Sequence, residues 1–301
     1  MSQNALYYTV SLGILWGINL VLGRFGLTQF DVWTFTGYRL IISVIVFAVL
    51  ITILPNRRWP REWRVWRDAT IVGVFGTALP LLTSTGSLYF QSAGVTSLLA
   101  TTGPAFIVTS AHFLLPDAKL TRTAATGVAI AMGGAILIIA LGETGLPDLT
   151  EANPIGYFMV IGTLFVDSLV AVYVRRRMQS YDTFEVTSVR MLAAMCAVIP
   201  FMFVFGNFMT PITTLGDVTA SITLSGWSAL LFSAIGSTVI AQLLFFYVTR
   251  TFGTTKLAIS MYIVPVTALV SGVVFLGETV TIGMGLGMVS IVTGIYLINR
   301  P

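Results

Sequence analysis

The sequence predicts an all-α polytopic membrane protein: ten transmembrane helices arranged as two inverted five-helix repeats, with both termini cytoplasmic. Three observations carry that expectation: an apolar composition, an unbroken series of helix-length apolar runs, and a charge bias that alternates from link to link. Of the 301 residues, 56% are hydrophobic and only 9% charged, and the mean hydropathy is +0.91. A soluble domain carries about 25% charged residues, so the proper solvent for this chain is lipid. About 20 apolar residues cross a hydrocarbon core roughly 30 Å thick.

In order, the predicted spans are 5–27, 34–54, 69–90, 94–115, 122–141, 154–174, 183–206, 225–249, 254–276 and 281–299. The first run has no basic leader or small-residue cleavage site and exceeds a signal-peptide core, so it is expected to remain as a helix. The link after the second span holds Arg57, Arg58, Arg61, Arg64 and Arg67, with Trp59, Trp63 and Trp66 beside them as an interfacial belt. Contact with anionic lipid is compatible with that link. Lys119 and Arg122 follow the fourth span, Arg175, Arg176 and Arg177 the sixth, Arg250 and Lys256 the eighth, and Arg300 comes after the tenth. The alternate links carry no Lys or Arg but hold Asp31, Glu143, Asp148, Glu151, Asp217 and Glu278. The positive-inside rule then puts both termini in the cytoplasm of a cell (inner) membrane protein, and the net charge of +4 calls for no nucleic-acid partner. The one cysteine, Cys196, excludes an internal disulfide framework and multi-cysteine metal sites, so neither metal nor other cofactor is expected.

The halves, 1–150 and 151–301, repeat one another. Leu114-Leu115-Pro116-Asp117 before Thr121 parallels Phe275-Leu276-Gly277-Glu278 before Thr281, and Pro104 stands before Asp117 as Pro265 stands before Glu278. Gly127 and Gly134 match Gly287 and Gly294, and Arg39 matches Arg190. Five is odd, so the second copy is inserted upside down, a device of secondary transporters.

Trp16-Gly17-Ile18-Asn19, Tyr38-Arg39-Leu40, Ser97-Leu98-Leu99 leading to Pro104, and Val264-Pro265-Val266-Thr267-Ala268-Leu269 leading to Glu278 resemble the drug/metabolite transporter superfamily in its ten-helix, EamA-type exporter branch. The resemblance covers nearly the whole chain and is nearest to exporters of aromatic and other amino acids. Pro116-Asp117 departs from the family's Gly-Glu. The resemblance implies a central cavity between the halves that opens alternately to either side; it fixes no substrate.

Pro104 and Pro265 fall near the bilayer midplane and free the carbonyls of Ala100 and Met261. Paired interruptions of this kind point to a transporter's binding site; they also serve as packing kinks. Thr77, Pro80, Ser84, Ser87 and Gln91 share one face of the third span, either a cavity wall or a helix contact. The candidate substrate-binding residues are Trp16, Asn19, Tyr38, Ser84, Ser87, Ala100, Thr101, Asp167, Gln242, Met261 and Tyr262, with helix breaks at Pro80, Pro104 and Pro265. Asp167 is the acid deepest in a span, where a charge costs roughly 2.5–3.5 kcal/mol on insertion scales, so it is expected to face water or a partner. It serves proton coupling, a substrate ammonium, or a neutral structural role. Arg39 and Arg190 either grip a carboxylate or snorkel to an interface. His112 reads as packing or interfacial, and Thr121 and Thr281 as helix caps with the neighbouring acids at the positive helix ends.

The expected function is transport of a small molecule, amino acids first. Lipophilic drugs and nucleotide or phosphate sugars are the alternatives within the superfamily. An intramembrane enzyme is the remote alternative, since GxSxG and HExxH motifs are absent. A channel lacks its rings of like charge. Membrane lipids and the substrate are the expected partners, and a monomer suffices for transport.

Overall fold

The computed structural model describes residues 3–53, 59–149, 151–206, 222–252 and 254–299. Arg57, Arg58, Asp217 and Arg300 lie outside the described residues, as do the side chains of Arg250 and Lys256. Among the described residues there is no strand, and ten helical rods follow one another: α1 (Gln3–Gly26), α2 (Val32–Ile53), α3 (Trp63–Ser87), α4 (Ala93–Leu114), α5 (Arg122–Ala140), α6 (Pro154–Arg177), α7 (Thr183–Phe205), α8 (Leu224–Leu231, Phe232–Ile240 and Ala241–Phe252), α9 (Thr254–Leu276) and α10 (Ile282–Ile298). Nine of these rods are apolar and long enough to cross a membrane, and α10 is a tenth, shorter apolar helix of 17 residues.

Helix starts are set by side chains that accept the free N–H groups of the first turn. Ser92 accepts from Val95 at 3.0 Å for α4, Thr121 from Ala124 at 3.1 Å for α5, and Thr281 from Met284 at 3.1 Å for α10. Asp182 does the same for α7 through Phe184 and Glu185. The third helix begins at Trp63, earlier than predicted, so Arg64 and Arg67 lie on its first turns and not in a link. Hydropathy missed this entry because the segment is amphipathic: Val65, Asp68, Ala69 and Val72 are buried while Arg64 and Arg67 face out.

Two helices contain π segments, Val74–Ala78 in α3 and Phe232–Ile240 in α8. In α3 the cause is Pro80, which lacks the N–H that would bond Gly76; the Leu79 N–H reaches back to the Val74 carbonyl instead. In α4 the helix stops at Ala100, turns through Thr101 and Thr102, and restarts at Gly103 with Pro104 in its first turn. Pro265 does not interrupt α9, which stays helical from Thr254 to Leu276. The ring is accommodated there because membrane helices tolerate an unbonded carbonyl that faces a neighbour or a cavity.

Packing follows a regular scheme. α1 lies against α8 and α9, and α6 lies against α3 and α4; α2 contacts α7 and α8, and α7 contacts α2 and α3; α5 pairs with α10. Each relation turns into another on moving five helices along the chain. The α5–α10 contact is backbone-close because glycines face each other: a Cβ on Gly127 would sit 2.5 Å from the Gly294 carbonyl, and one on Gly134 would sit 2.9 Å from the Gly287 carbonyl.

Candidate functional site: a polar cavity between the halves

A cavity of about 390 Å³ occupies the middle of the bundle, within the roughly 300–1,000 Å³ of small-molecule sites. Its wall is drawn from α1–α4 and α6–α9, while α5 and α10 contribute nothing. A hollow of about 590 Å³ lies among the end-of-bundle residues Trp59, Arg61, Tyr181 and Asp182, and one of about 620 Å³ on the flank is lined by Val21, Phe25, Phe232 and Phe275. The central cavity draws on eight helices of both halves and places Arg39, Asp167 and Arg190 around one space inside the bundle, so it is the candidate site.

Trp16, Asn19, Ser84, Ala100, Asp167, Gln242, Met261 and the helix-break residue Pro80 all line it. Four predicted residues do not. Tyr38 packs on Trp227 with ring centroids 5.7 Å apart. Ser87 is fully buried and donates to the Ser84 carbonyl at 2.8 Å, and Thr101 donates to the Ser97 carbonyl at 2.7 Å. Tyr262 packs with the cluster around Val95, Leu98 and Ala131. Pro104 and Pro265 lie behind the wall, one turn past Ala100 and Met261. The cavity also takes in Arg39, Thr77, Thr96, Thr163, Arg190 and Thr238. The sequence raises Thr77, Arg39 and Arg190 without assigning them to the substrate, because periodicity flags such polar groups equally often as helix–helix or interfacial contacts.

The polar groups divide into bonded and unbonded sets. The α8 π segment is stitched to α1 and α2: Ser233 donates to Asn19 Oδ1 at 2.8 Å, Ser237 to the Leu15 carbonyl at 3.0 Å, and Arg39 Nε to Thr238 Oγ1 at 2.7 Å. By contrast, Arg190 Nε and Thr77 Oγ1 are buried with no hydrogen-bond partner among the described residues. Asp167 and Arg190 attract one another across the cavity without forming a direct ion pair. Trp16, Leu164, Met191 and Val264 supply the apolar wall. Chemically, the cavity presents two cations, Arg39 and Arg190, one acid, several hydroxyls and an aromatic face. It holds no cluster of His, Cys, Asp and Glu able to bind a metal among the described residues.

The acids at the helix ends behave differently from one another. Glu278 does not cap α10. Its carboxylate reaches across to the start of α4 and accepts from Ala93 at 2.7 Å and Gly94 at 3.2 Å. Asp117 is exposed and bonded to Arg175 at 2.7 Å. His112 Nδ1 accepts from the Leu120 N–H at 3.1 Å, a structural contact. Asp68, which periodicity did not single out, is buried and accepts from Tyr173 at 2.9 Å, Tyr181 at 3.0 Å and Arg67 at 2.8 Å.

A multi-pass bundle of apolar helices around a polar, charged cavity is the architecture of a membrane transporter. The chain belongs to the EamA-like transporter family, whose pattern matches residues 3–140 and again 154–300. It is similar to an uncharacterized transporter of Archaeoglobus fulgidus, 21% identical over 286 residues and 95% of each chain. It is likewise similar to the uncharacterized transporter YoaV of Bacillus subtilis, 23% identical over 96% of this chain and 94% of that one. One solved crystal structure, 20% identical, superposes over 99% of this chain and 96% of its own with a TM-score of 0.64, a likeness of fold.

Proposed function

We propose that the protein exports small metabolites, chiefly amino acids including aromatic and other apolar ones, by alternating access through the cavity between two inverted five-helix repeats, residues 1–150 and 151–301. The observation that carries this reading is the pair Asp167 and Arg190, opposite charges that face one cavity and are not joined to each other. A zwitterion supplies what both lack: an ammonium for Asp167 and a carboxylate that accepts from the Arg190 guanidinium. Trp16 and the aliphatic wall suit a large apolar side chain. The sequence likeness to the amino-acid exporter YddG supports the same substrate class. Nucleotide and phosphate sugars fit less well, because their charge calls for clustered cations and Arg39 is engaged by Thr238. Lipophilic drugs are the second reading, favoured by the apolar hollow on the flank lined by Val21, Phe25 and Phe275. The protein is read as a carrier and not an enzyme. It sits in the inner membrane with both termini cytoplasmic, since every Lys and Arg except Arg24, Arg39 and Arg190 falls on one side.

Counterflow of labelled amino acids in proteoliposomes, with and without a pH gradient, tests the proposal. Flux of at least one apolar amino acid is expected, and Asp167→Asn and Arg190→Gln should each lower it roughly tenfold or more, the factor that about 1.4 kcal/mol represents. Absence of flux for every amino acid would rule out the substrate class. Asp167→Asn that kept both flux and its pH dependence would exclude coupling through that acid.

A further inference from the structure

We propose that the protein changes the side to which its cavity opens by exchanging one arginine–threonine bond for its counterpart: Arg39–Thr238, made in the present state, breaks as Arg190–Thr77 forms. The inference rests on the inverted-repeat reading above and goes beyond it by naming the bonds that are exchanged.

The four residues form two equivalent sets. Arg39 stands early in α2 as Arg190 stands early in α7. The interval that separates Pro104 from Pro265 and Asp117 from Glu278 also separates Thr77 from Thr238. Each threonine lies in the π segment of the third helix of its half, where the altered backbone bonding turns a side chain that a regular helix would aim elsewhere. All four line the cavity. The helices that carry them touch in both sets, α2 against α8 and α7 against α3, each contact running between the halves.

Yet only one set is bonded. Arg39 Nε donates to Thr238 Oγ1 at 2.7 Å, and Thr238 Oγ1 donates in turn to the Ser233 carbonyl at 3.0 Å. In the other set both Arg190 Nε and Thr77 Oγ1 are buried and without a hydrogen-bond partner among the described residues. Two complementary buried groups left open at equivalent positions are the mark of a bond that belongs to another state, because native interiors otherwise satisfy such groups.

A second, separate pair of equivalent residues breaks symmetry in the same sense. Glu278 is buried and docked on the Ala93 and Gly94 N–H groups at the end of the bundle remote from the termini. Its counterpart Asp117, at the end that carries the termini, is exposed and turned to Arg175. At the remote end both links are made; at the termini end, among the described residues, Arg190 Nε and Thr77 Oγ1 are open and Asp117 is exposed. The present state is therefore closed at the remote end, and a concerted exchange of the links closes the termini end instead.

The test removes each hydroxyl with shape retained. In a Cys196→Ser background, Ala100→Cys places a thiol in the cavity wall, and a membrane-impermeant maleimide added to one side of sealed proteoliposomes reads access from that side. Thr238→Val should raise labelling from the remote side and lower it from the termini side, each by roughly tenfold, the change expected for one hydrogen bond to a charged group. Thr77→Val should shift the balance in the opposite direction, and Thr238→Ser and Thr77→Ser, which keep the hydroxyl, should restore the parent's sidedness even where a valine variant fails to assemble. Shifts in the same direction, no shift, or serine variants that behave as valine would overturn the exchange. Labelling needs no substrate, so a failure to find amino-acid flux leaves this result standing, whereas a Thr77→Val that alters flux with sidedness unchanged would assign Thr77 to substrate contact and refute its gating role.

Discussion

Asp68 is a single acid side chain that fastens α3 to α6 and to the link after it, since Tyr173 at the end of α6 and Tyr181 in the following link both donate to it while Arg67 covers it from the same turn. A hydrogen bond to a charged group contributes about 1.5–3 kcal/mol. Tyr173→Phe should therefore lower stability by roughly 1.5 kcal/mol, read as an earlier midpoint in a detergent-denaturation titration. Asp68→Ala should cost more, because it strands both tyrosine hydroxyls. Glu278 makes a different prediction. Burial pushes its carboxyl above the usual range, and the Ala93 and Gly94 N–H groups and Arg24 pull it partly back. A raised folded value means that folding takes up a proton, so the linked stability is present below the ordinary carboxylate pKa and is lost as pH rises through the raised one. The stability of the parent relative to Glu278→Gln should fall across that window and then level off. A difference that grew with pH would show the hydrogen bonds outweighing burial.

At the level of the helix, the contrast between neighbouring glycines on α5 is the sharpest test of the packing. A Cβ on Gly127 meets the Gly294 carbonyl and the Ile298 N–H, neither of which can turn aside, whereas one on Gly133 meets nothing within 4 Å. Gly127→Ala should destabilise by about 1–3 kcal/mol, the usual cost of overpacking. Gly133→Ala should be neutral or stabilising by up to about 1 kcal/mol through helix propensity alone. The same denaturation titration separates them. The starts of α5 and α10 were readable from Thr121 and Thr281 because a cap is a local bond between residues three apart. The break before Pro104 and the π segment before Pro80 have a local cause as well. No proline explains the π segment of α8, whose Thr238 and Ser233 find their partners on α2 and α1. That element is chosen by its neighbours.

For the whole molecule, the proposed topology predicts that tags at both termini are reached from the same, cytoplasmic side, and that replacing Arg61, Arg64 and Arg67 by glutamine weakens this orientation. Protease or alkylation access to the tags in intact cells and inverted vesicles checks it; tags on opposite sides would refute an even number of spans. The series of apolar runs, the charge bias of the links, the repeat of Pro104 and Gly127 in Pro265 and Gly287, and the family all followed from the sequence by itself, because burial in lipid demands a local signal from each helix in turn. Which polar side chains meet in the cavity followed only in part: Asn19, Ser84, Asp167 and Gln242 line it, whereas Ser87 and Thr101 do not. These helices are apolar nearly all round, so periodicity supplies an angle for Ser87, Thr101 or Tyr262 but not the neighbour found at that angle. Only the tertiary structure turned Ser84 and Asp167 into the cavity and Ser87 away from it, and sent Glu278 across to α4 instead of α10. It also bonded Arg39 while leaving its counterpart Arg190 open, a difference that no symmetric sequence pattern encodes because it belongs to the state of the bundle and not to either half.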